Sequence, residues 1–193
     1  MQFPLWQAAA SFAARRHGRQ VRKDGRTPYF AHPFRVAMAL RDAFDCPDPV
    51  ALVAALLHDL IEDTTTDYDD IAQAFGAEVA DVVAALTKNM ALPEPRREVE
   101  YDAALAAAPW QARLVKLGDC YDNLCDALAS PYGVLDDAHL GRTLDRCRRS
   151  LNLVRPDDPH FLRQAAELVE KLILAAEAAL PRVSEAPQKR SCE

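Results

Sequence analysis

Glycine is scarce in this chain, at 6 of 193 residues, while alanine occurs 35 times. That balance excludes a turn-rich β architecture and favours helix. An excess of basic charge is also missing. Lys and Arg number 23 against 29 Asp and Glu, a net of −6. DNA, RNA and an anionic membrane are therefore poor partners for the chain as a whole. Long apolar runs are absent too. The longest, Val50 to Leu57, is far short of the roughly 20 residues of a membrane-spanning helix. No two cysteines stand in a C-x-x-C spacing, and their number, five, is odd. A disulfide framework and a cysteine zinc site are both disfavoured, and a reducing, cytoplasmic setting is expected. The N-terminus begins apolar and turns basic at Arg15-Arg16, the reverse of a secretory signal.

Hydrophobic residues make up 50% of the chain, enough to build a core. The apolar pattern is helical nearly throughout and nowhere alternates as a strand. Helices are expected over 3–17, His32 to Phe44, Val50 to Asp63, 68–75, 77–88, 96–107, Trp110 to Leu128, 136–153 and 160–180. Pro33 suits a first helical turn, Asp67 can cap the helix that follows it, and Pro109 separates two helices. The expectation is an all-α bundle of eight or nine helices forming a single domain over residues 1–180. Residues 181–193 lack apolar periodicity and read as a flexible tail. The last two helices can either close the core or form a homo-oligomer interface.

The stretch Val50 to Asp63, VALVAALLHDLIED, breaks its own pattern. Its first eight residues are apolar on all sides, which places the helix inside the domain. It then carries His58, Asp59, Glu62 and Asp63. Positions 58 and 62 are i,i+4, as are 59 and 63, so the four side chains can gather at one helix end. Burying three carboxylates and an imidazole together is costly without compensation. A divalent cation is the simplest compensation, and it needs donors from elsewhere in the chain. His32 and Asp119 are candidates. The first opens a helix among Tyr29, Phe30 and Phe34. The second lies beside the apolar stripe Leu114, Leu117, Tyr121 and Leu124, with Asn123 one turn on.

His32, His58-Asp59 and Asp119 follow the H…HD…D order of the HD-domain metal-dependent phosphohydrolases. Flanking stretches sharpen the likeness. His17-x-x-Gln20-x-Arg22-Lys23-Asp24-Gly25 and Thr27-Pro28-Tyr29-Phe30-Ala31-His32-Pro33 resemble the opening of the alarmone hydrolase domain of RelA/SpoT-type proteins. So do Ala54 through Thr64, Phe75-Gly76-Ala77-Glu78-Val79, Leu86-Thr87-Lys88, and Lys116-Leu117-Gly118-Asp119 with Asn123-Leu124. The chain thus resembles the stand-alone small alarmone hydrolases. The resemblance implies an all-α HD-domain bundle holding one manganese ion on His32, His58, Asp59 and Asp119, while ligand type alone leaves iron, cobalt and zinc open. It implies Glu62 and Asp63 as the catalytic acidic pair, and Arg22, Lys23 and Asn123 as nucleotide contacts. The implied reaction is removal of the 3′-diphosphate of guanosine tetraphosphate (ppGpp), or of a related nucleotide, as pyrophosphate.

The chemistry is reasonable on its own terms. A divalent metal acidifies a water and polarises a phosphoryl oxygen, a carboxylate one turn away can take a proton, and loop cations can hold a polyphosphate. Two departures from the family pattern stand out. Asp122 occupies a position usually aromatic or histidine, and Arg142 is followed at i+4 by Arg146 rather than by an aromatic. Alternatives therefore stay open. One is an HD-type phosphatase acting on nucleoside monophosphates or on the 2′-phosphate of NADPH. Another is a non-catalytic nucleotide-binding module.

Overall fold

The computed structural model describes residues 4–129 and 137–179. The expected turn at Ser130 to Gly133 and the tail at 181–193 lie outside the described residues. Among the described residues the regular structure is helical, apart from one isolated bridge between Val21 and Pro28. The helices are α1 (Leu5–His17), α2 (Ala31–Met38), α3 (Pro49–Leu57), α4 (Leu60–Asp63), α5 (Tyr68–Phe75), α6 (Ala77–Ala85), α7 (Glu94–Ala107), α8 (Trp110–Ala129), α9 (Asp137–Leu151) and α10 (His160–Ala179). No helix among them is long and apolar enough to cross a membrane.

Helix α3 is the centre of the bundle. Asp48 caps it by accepting from the Ala51 amide at 2.7 Å, and Pro49 follows at the first helical position. Ala51, Val53, Ala54, Ala55, Leu56 and Leu57 are all buried, against α1, α2, α6 and α8. Each Val or Leu so buried stabilises the fold by about 1.5–3 kcal/mol. The helix expected to continue to Asp63 instead stops at Leu57 and restarts as the single turn α4. The break falls on His58 and Asp59. There the His58 ring takes the Ala55 carbonyl at 2.8 Å, and Asp59 has ψ near −4°.

Helix α8 lies along α10 and also meets α2, α3 and α9. Its approach to α2 depends on Gly118. A Cβ there would stand 2.4 Å from Leu40 Cδ1 and 3.0 Å from Val36 Cγ1. At the same level α2 widens into a π-turn over Ala39–Ala43, whose Ala43 carbonyl accepts from Gln164 of α10 at 2.7 Å. Helix α10 buries Phe161, Leu162, Ala165, Val169, Ile173 and Ala176. These residues belong to the core.

The loop between α1 and α2 is a tight hairpin. Tyr29 N donates to Gln20 O, and Arg22 N to Thr27 O, both at 2.8 Å. At the tip the Asp24 carboxylate accepts from the amides of Arg26 and Thr27 and from the Thr27 hydroxyl. The Thr27 hydroxyl and the two amides pull its carboxyl down to about 2. Gly25, with φ at +69°, supplies the left-handed residue the turn requires. The hairpin brings Arg22 and Lys23 to the cavity that His32 also lines.

Candidate functional site

The four donors named by the H…HD…D pattern come from α2, the α3–α4 break and α8. Ligating atoms of His32, His58 and Asp59 all lie within 4.8 Å of one another. His32 Nε2 stands 3.6 Å from Asp59 Oδ2 and 3.3 Å from Asp119 Oδ1. His58 Nε2 stands 3.1 Å from Asp59 Oδ1. Both imidazoles are buried, at 2% and 4% exposure.

Hydrogen bonding settles the tautomers. His32 Nδ1 meets the Asp122 carboxylate at 2.7 Å, and His58 Nδ1 meets the Ala55 carbonyl. Both partners can only accept, so both Nδ1 atoms donate. In the neutral imidazoles each Nε2 carries the lone pair, and the carboxylates of Asp59 and Asp119 draw a cation to it, either a proton or a metal ion. The buried His58 Nε2 makes no well-aligned hydrogen bond, although Asp59 Oδ1 lies 3.1 Å away. Converging lone pairs repel one another unless a cation sits among them. The donor set of imidazole and carboxylate fits a divalent metal ion.

The electrostatics point the same way. Burial works to lower the pKa of His32, but hydrogen bonds to Asp119 and Asp122 and the charge of Asp59 outweigh it, raising it to about 9. Burial works to raise Asp59, but His58 and His32 hold it low. Asp119 is held low against its burial by Lys116, whose ammonium lies 2.8 Å away, and by His32. The carboxylates are thus kept ionised and draw positive charge to the point where they meet.

Asp122 is buried and faces away from the donors. It sits behind His32 and pairs through both oxygens with Arg35, at 2.6 and 2.9 Å. It fixes the His32 ring without placing a charge in the pocket. Tyr29 supports Asp59 in a similar way, its hydroxyl donating to Oδ2 at 2.8 Å. The ring of His17, itself buried, packs against Tyr29 with centroids 4.7 Å apart.

The donors open into a pocket of about 300 Å³. Glu62 and Asp63, on α4, line its wall. Partial burial pushes the carboxyl of Glu62 above the usual range. Burial and the neighbouring Asp59 do the same for Asp63. The Lys88 amide donates to Glu62 Oε2 at 3.2 Å, and Gln20 holds the Asp63 carbonyl at 2.7 Å. Arg22 and Lys23 reach the pocket from the hairpin. Arg22 donates to Asn123 Oδ1 at 3.0 Å and to Asp126 at 2.9 Å, while the Asn123 amide donates to the Asp119 carbonyl at 2.9 Å. The expected substrate contacts therefore share one rim.

Sequence reasoning missed part of the wall. Lys88, Tyr101 and Arg146 also border the cavity, with Leu86 and Val21 as apolar neighbours, and so does Lys116, which the sequence offered with Arg26 as a further cation for a polyphosphate. The ammonium groups of Lys88 and Lys116 lie 5.1 and 5.8 Å from the Tyr101 ring centroid. Arg22, Lys23, Lys88, Lys116 and Arg146 put five cations around a cavity in an acidic protein. Burial lowers the pKa of Lys23, and so do Arg22, Arg146 and Arg142. Carboxylates pair with several of these cations: Asp126 with Arg22, Glu98 with Lys88 and Arg146, and Asp119 with Lys116. Two signals were available in the chain: Tyr101 is a lone aromatic in the polar α7, and Arg146 stands one helical turn after Arg142.

A family model described as the HD domain matches residues 9–116, more than half of the chain. The chain belongs to the HD-domain family. This HD domain is 44% identical over 120 residues to guanosine-3′,5′-bis(diphosphate) 3′-pyrophosphohydrolase MESH1 of Homo sapiens. The match covers 61% of this chain and 66% of the human protein, so it spans just under two thirds of that relative's length. It is 39% identical over 121 residues to a protein of Aquifex aeolicus with the same activity in its name, covering 61% of this chain and 17% of that one. In three dimensions it superposes on a metazoan SpoT ortholog described as hydrolysing ppGpp. The TM-score is 0.75 at 25% identity, over 89% of this chain and 97% of the other. A Listeria monocytogenes protein of solved structure aligns with a TM-score of 0.58 at 29% identity, over 76% of this chain and 98% of the other.

Proposed function

We propose that this HD domain is a manganese-dependent pyrophosphohydrolase that removes the 3′-diphosphate of ppGpp, or of a closely related nucleotide, as pyrophosphate. The observation that supports this most strongly is the convergence of His32, His58, Asp59 and Asp119 beneath a rim of five cations. The first feature suits a hydrolytic metal, and the second suits a substrate with more than one phosphate. Human and bacterial relatives named for this reaction support the choice of nucleotide.

In this reading His32, His58, Asp59 and Asp119 hold the ion, and residues 1–180 form the working unit. Mixed nitrogen and oxygen ligation suits manganese. When bound, the ion supplies Lewis-acid polarisation of a phosphoryl oxygen and acidifies a water. The remaining work belongs to the side chains. Glu62, its basicity raised by partial burial, takes the proton of the attacking water. Asp63 sits beside it, within reach of the Tyr29 hydroxyl, and orients that water. Arg22, Lys23, Lys88 and Arg146 neutralise the diphosphates and hold them in line. Asn123 and the apolar faces of Tyr101 and Leu86 receive the nucleoside. The free cysteines fit work in the reducing cytosol.

The test is direct. The purified protein is incubated with Mn²⁺ and separately with ppGpp, nucleoside monophosphates and NADPH, and pyrophosphate and orthophosphate are read independently. Pyrophosphate from ppGpp is expected. Orthophosphate from NADPH or a monophosphate, with none of that pyrophosphate, would replace this reading with a phosphatase. Absence of any product with every divalent metal would leave a binding module.

A further inference from the structure

Two thiols border the same pocket and take no part in the hydrolysis described above. Cys120 on α8 and Cys147 on α9 are 2% and 1% exposed, yet both line the cavity. The two helices pack together there: Cys120 meets Ser150 of α9, and Cys147 stands one turn before Ser150 on that helix. The seam is polar. Cys120 donates to the Ser150 hydroxyl at 3.5 Å, and Ser150 donates to the Arg146 carbonyl at 2.9 Å. A buried cysteine that only fills space needs neither a polar partner nor an opening to a ligand cavity.

The neighbours of these thiols give their placement its meaning. Asp119, one of the four donors, directly precedes Cys120, and Arg146, one of the rim cations, directly precedes Cys147. A bond between the sulfurs needs a separation of about 2.05 Å, closer than any non-bonded contact. Forming it would lock α8 to α9 at the level of Asp119 and Arg146. The other described thiols are placed differently: Cys125 lies against Tyr121, and Cys46 against the backbone of Asp48.

We propose that Cys120 and Cys147 form a reversible intramolecular disulfide when a peroxide enters the pocket, and that this bond switches the site off by displacing Asp119 and Arg146. The chemistry balances with hydrogen peroxide as oxidant. One thiolate attacks a peroxide oxygen and the O–O bond breaks. This leaves a sulfenic acid, and the departing hydroxide takes the proton released from the thiol to become water. The second thiol attacks the sulfenic sulfur, the S–S bond forms, and a second water leaves. Two thiols are oxidised by two electrons in all, and one peroxide is reduced to two waters. A dithiol reductant reverses the step. The loss of rate rests on the hydrolase reading, whereas the thiol chemistry does not.

The experiment uses the full chain. Protein is exposed to a small excess of hydrogen peroxide, free thiols are alkylated, and peptides are mapped by mass spectrometry without reduction. Hydrolysis of ppGpp and Mn²⁺ affinity are measured before and after, and again after dithiothreitol. The expected result is a single 120–147 link, weaker Mn²⁺ binding and a rate lowered roughly tenfold or more, all restored by reductant. Cys147→Ser and Cys120→Ser, each compared with its own untreated rate, should lose the response, and Cys46→Ser should keep it. Peptide maps showing Cys120 and Cys147 both alkylated after peroxide would overturn the disulfide, whether or not the protein hydrolyses ppGpp. A link that forms and changes neither the rate nor the Mn²⁺ affinity would overturn the switch. Should a serine variant fail to fold, the map and the reductant reversal on the native chain decide the question alone.

Discussion

Asp122 accepts a hydrogen bond from His32 Nδ1 at 2.7 Å while both of its oxygens are held by Arg35. That arrangement fixes which nitrogen of His32 faces the other donors and makes it a stronger ligand. Asp122→Ala should therefore weaken Mn²⁺ binding by roughly 10–100-fold while leaving the helical content intact. Metal titration by calorimetry, with circular dichroism as the folding control, checks this. Unchanged affinity would reduce the contact to packing. The same titration on native protein has a stability consequence. Saturation with Mn²⁺ at a hundredfold over Kd should stabilise the fold by about 2.7 kcal/mol, and a chelator should remove that gain.

Glu62 lies one turn past His58 and does not belong to the tight cluster of His32, His58 and Asp59. Glu62→Gln should keep Mn²⁺ affinity within a factor of about three and lower kcat by roughly 10²–10⁴. Steady-state kinetics with metal content measured on the same sample separates the two effects. If the variant keeps full activity, another group takes the proton.

Gly118 is the close-packing point between α8 and α2. Leu40 is fully buried and cannot swing clear of a new methyl group. Overpacking of this kind costs about 1–3 kcal/mol, against which alanine regains about 1 kcal/mol of helix propensity. Gly118→Ala should lower Tm. In a Leu40→Ala background the same change should be neutral or stabilising, and a thermal double-mutant cycle would show the reversal.

Arg113 and Asp158 form a buried pair, each side chain at most 5% exposed, and Arg113 also donates to the Leu153 carbonyl. Burial works to raise the Asp158 carboxyl, but Arg113 and the Arg155 amide bring it below its usual value. Because the folded pKa is the lower one, the pair's stabilisation is complete above the unfolded value of about 3.9 and is lost as pH falls below it. Asp158→Ala should cost about 3–5 kcal/mol at neutral pH by leaving Arg113 buried and unpaired. It should also flatten the acid limb of a Tm-against-pH curve.

Much of this molecule could be read from the chain, for identifiable reasons. The periodicity of α3, α8 and α10 located the core, and the failure of that periodicity at His58 located the site. The break of the helix at His58-Asp59 could not be read, because neither glycine nor proline occurs in residues 50–63 to mark it. Asp122 read as an unwelcome charge. Its partner Arg35 lies 87 positions away, and one-dimensional spacing carries no trace of that pairing. That Arg22, Lys23 and Asn123 would border one cavity was legible from motif alone. Lys88, Tyr101 and Arg146 arrive from three different elements whose convergence only the packing of α7, α8 and α9 creates.

The interruption between α3 and α4 has a mechanical consequence. His58 is anchored to the last turn of the core helix, whereas Glu62 and Asp63 ride on a separate single turn tied by Gln20 to the hairpin and by the Lys88 amide to the segment before α7. The acidic pair is thus anchored by the hairpin and the α6–α7 segment, and the imidazole by the core. A continuous rod would have given all three a single anchor.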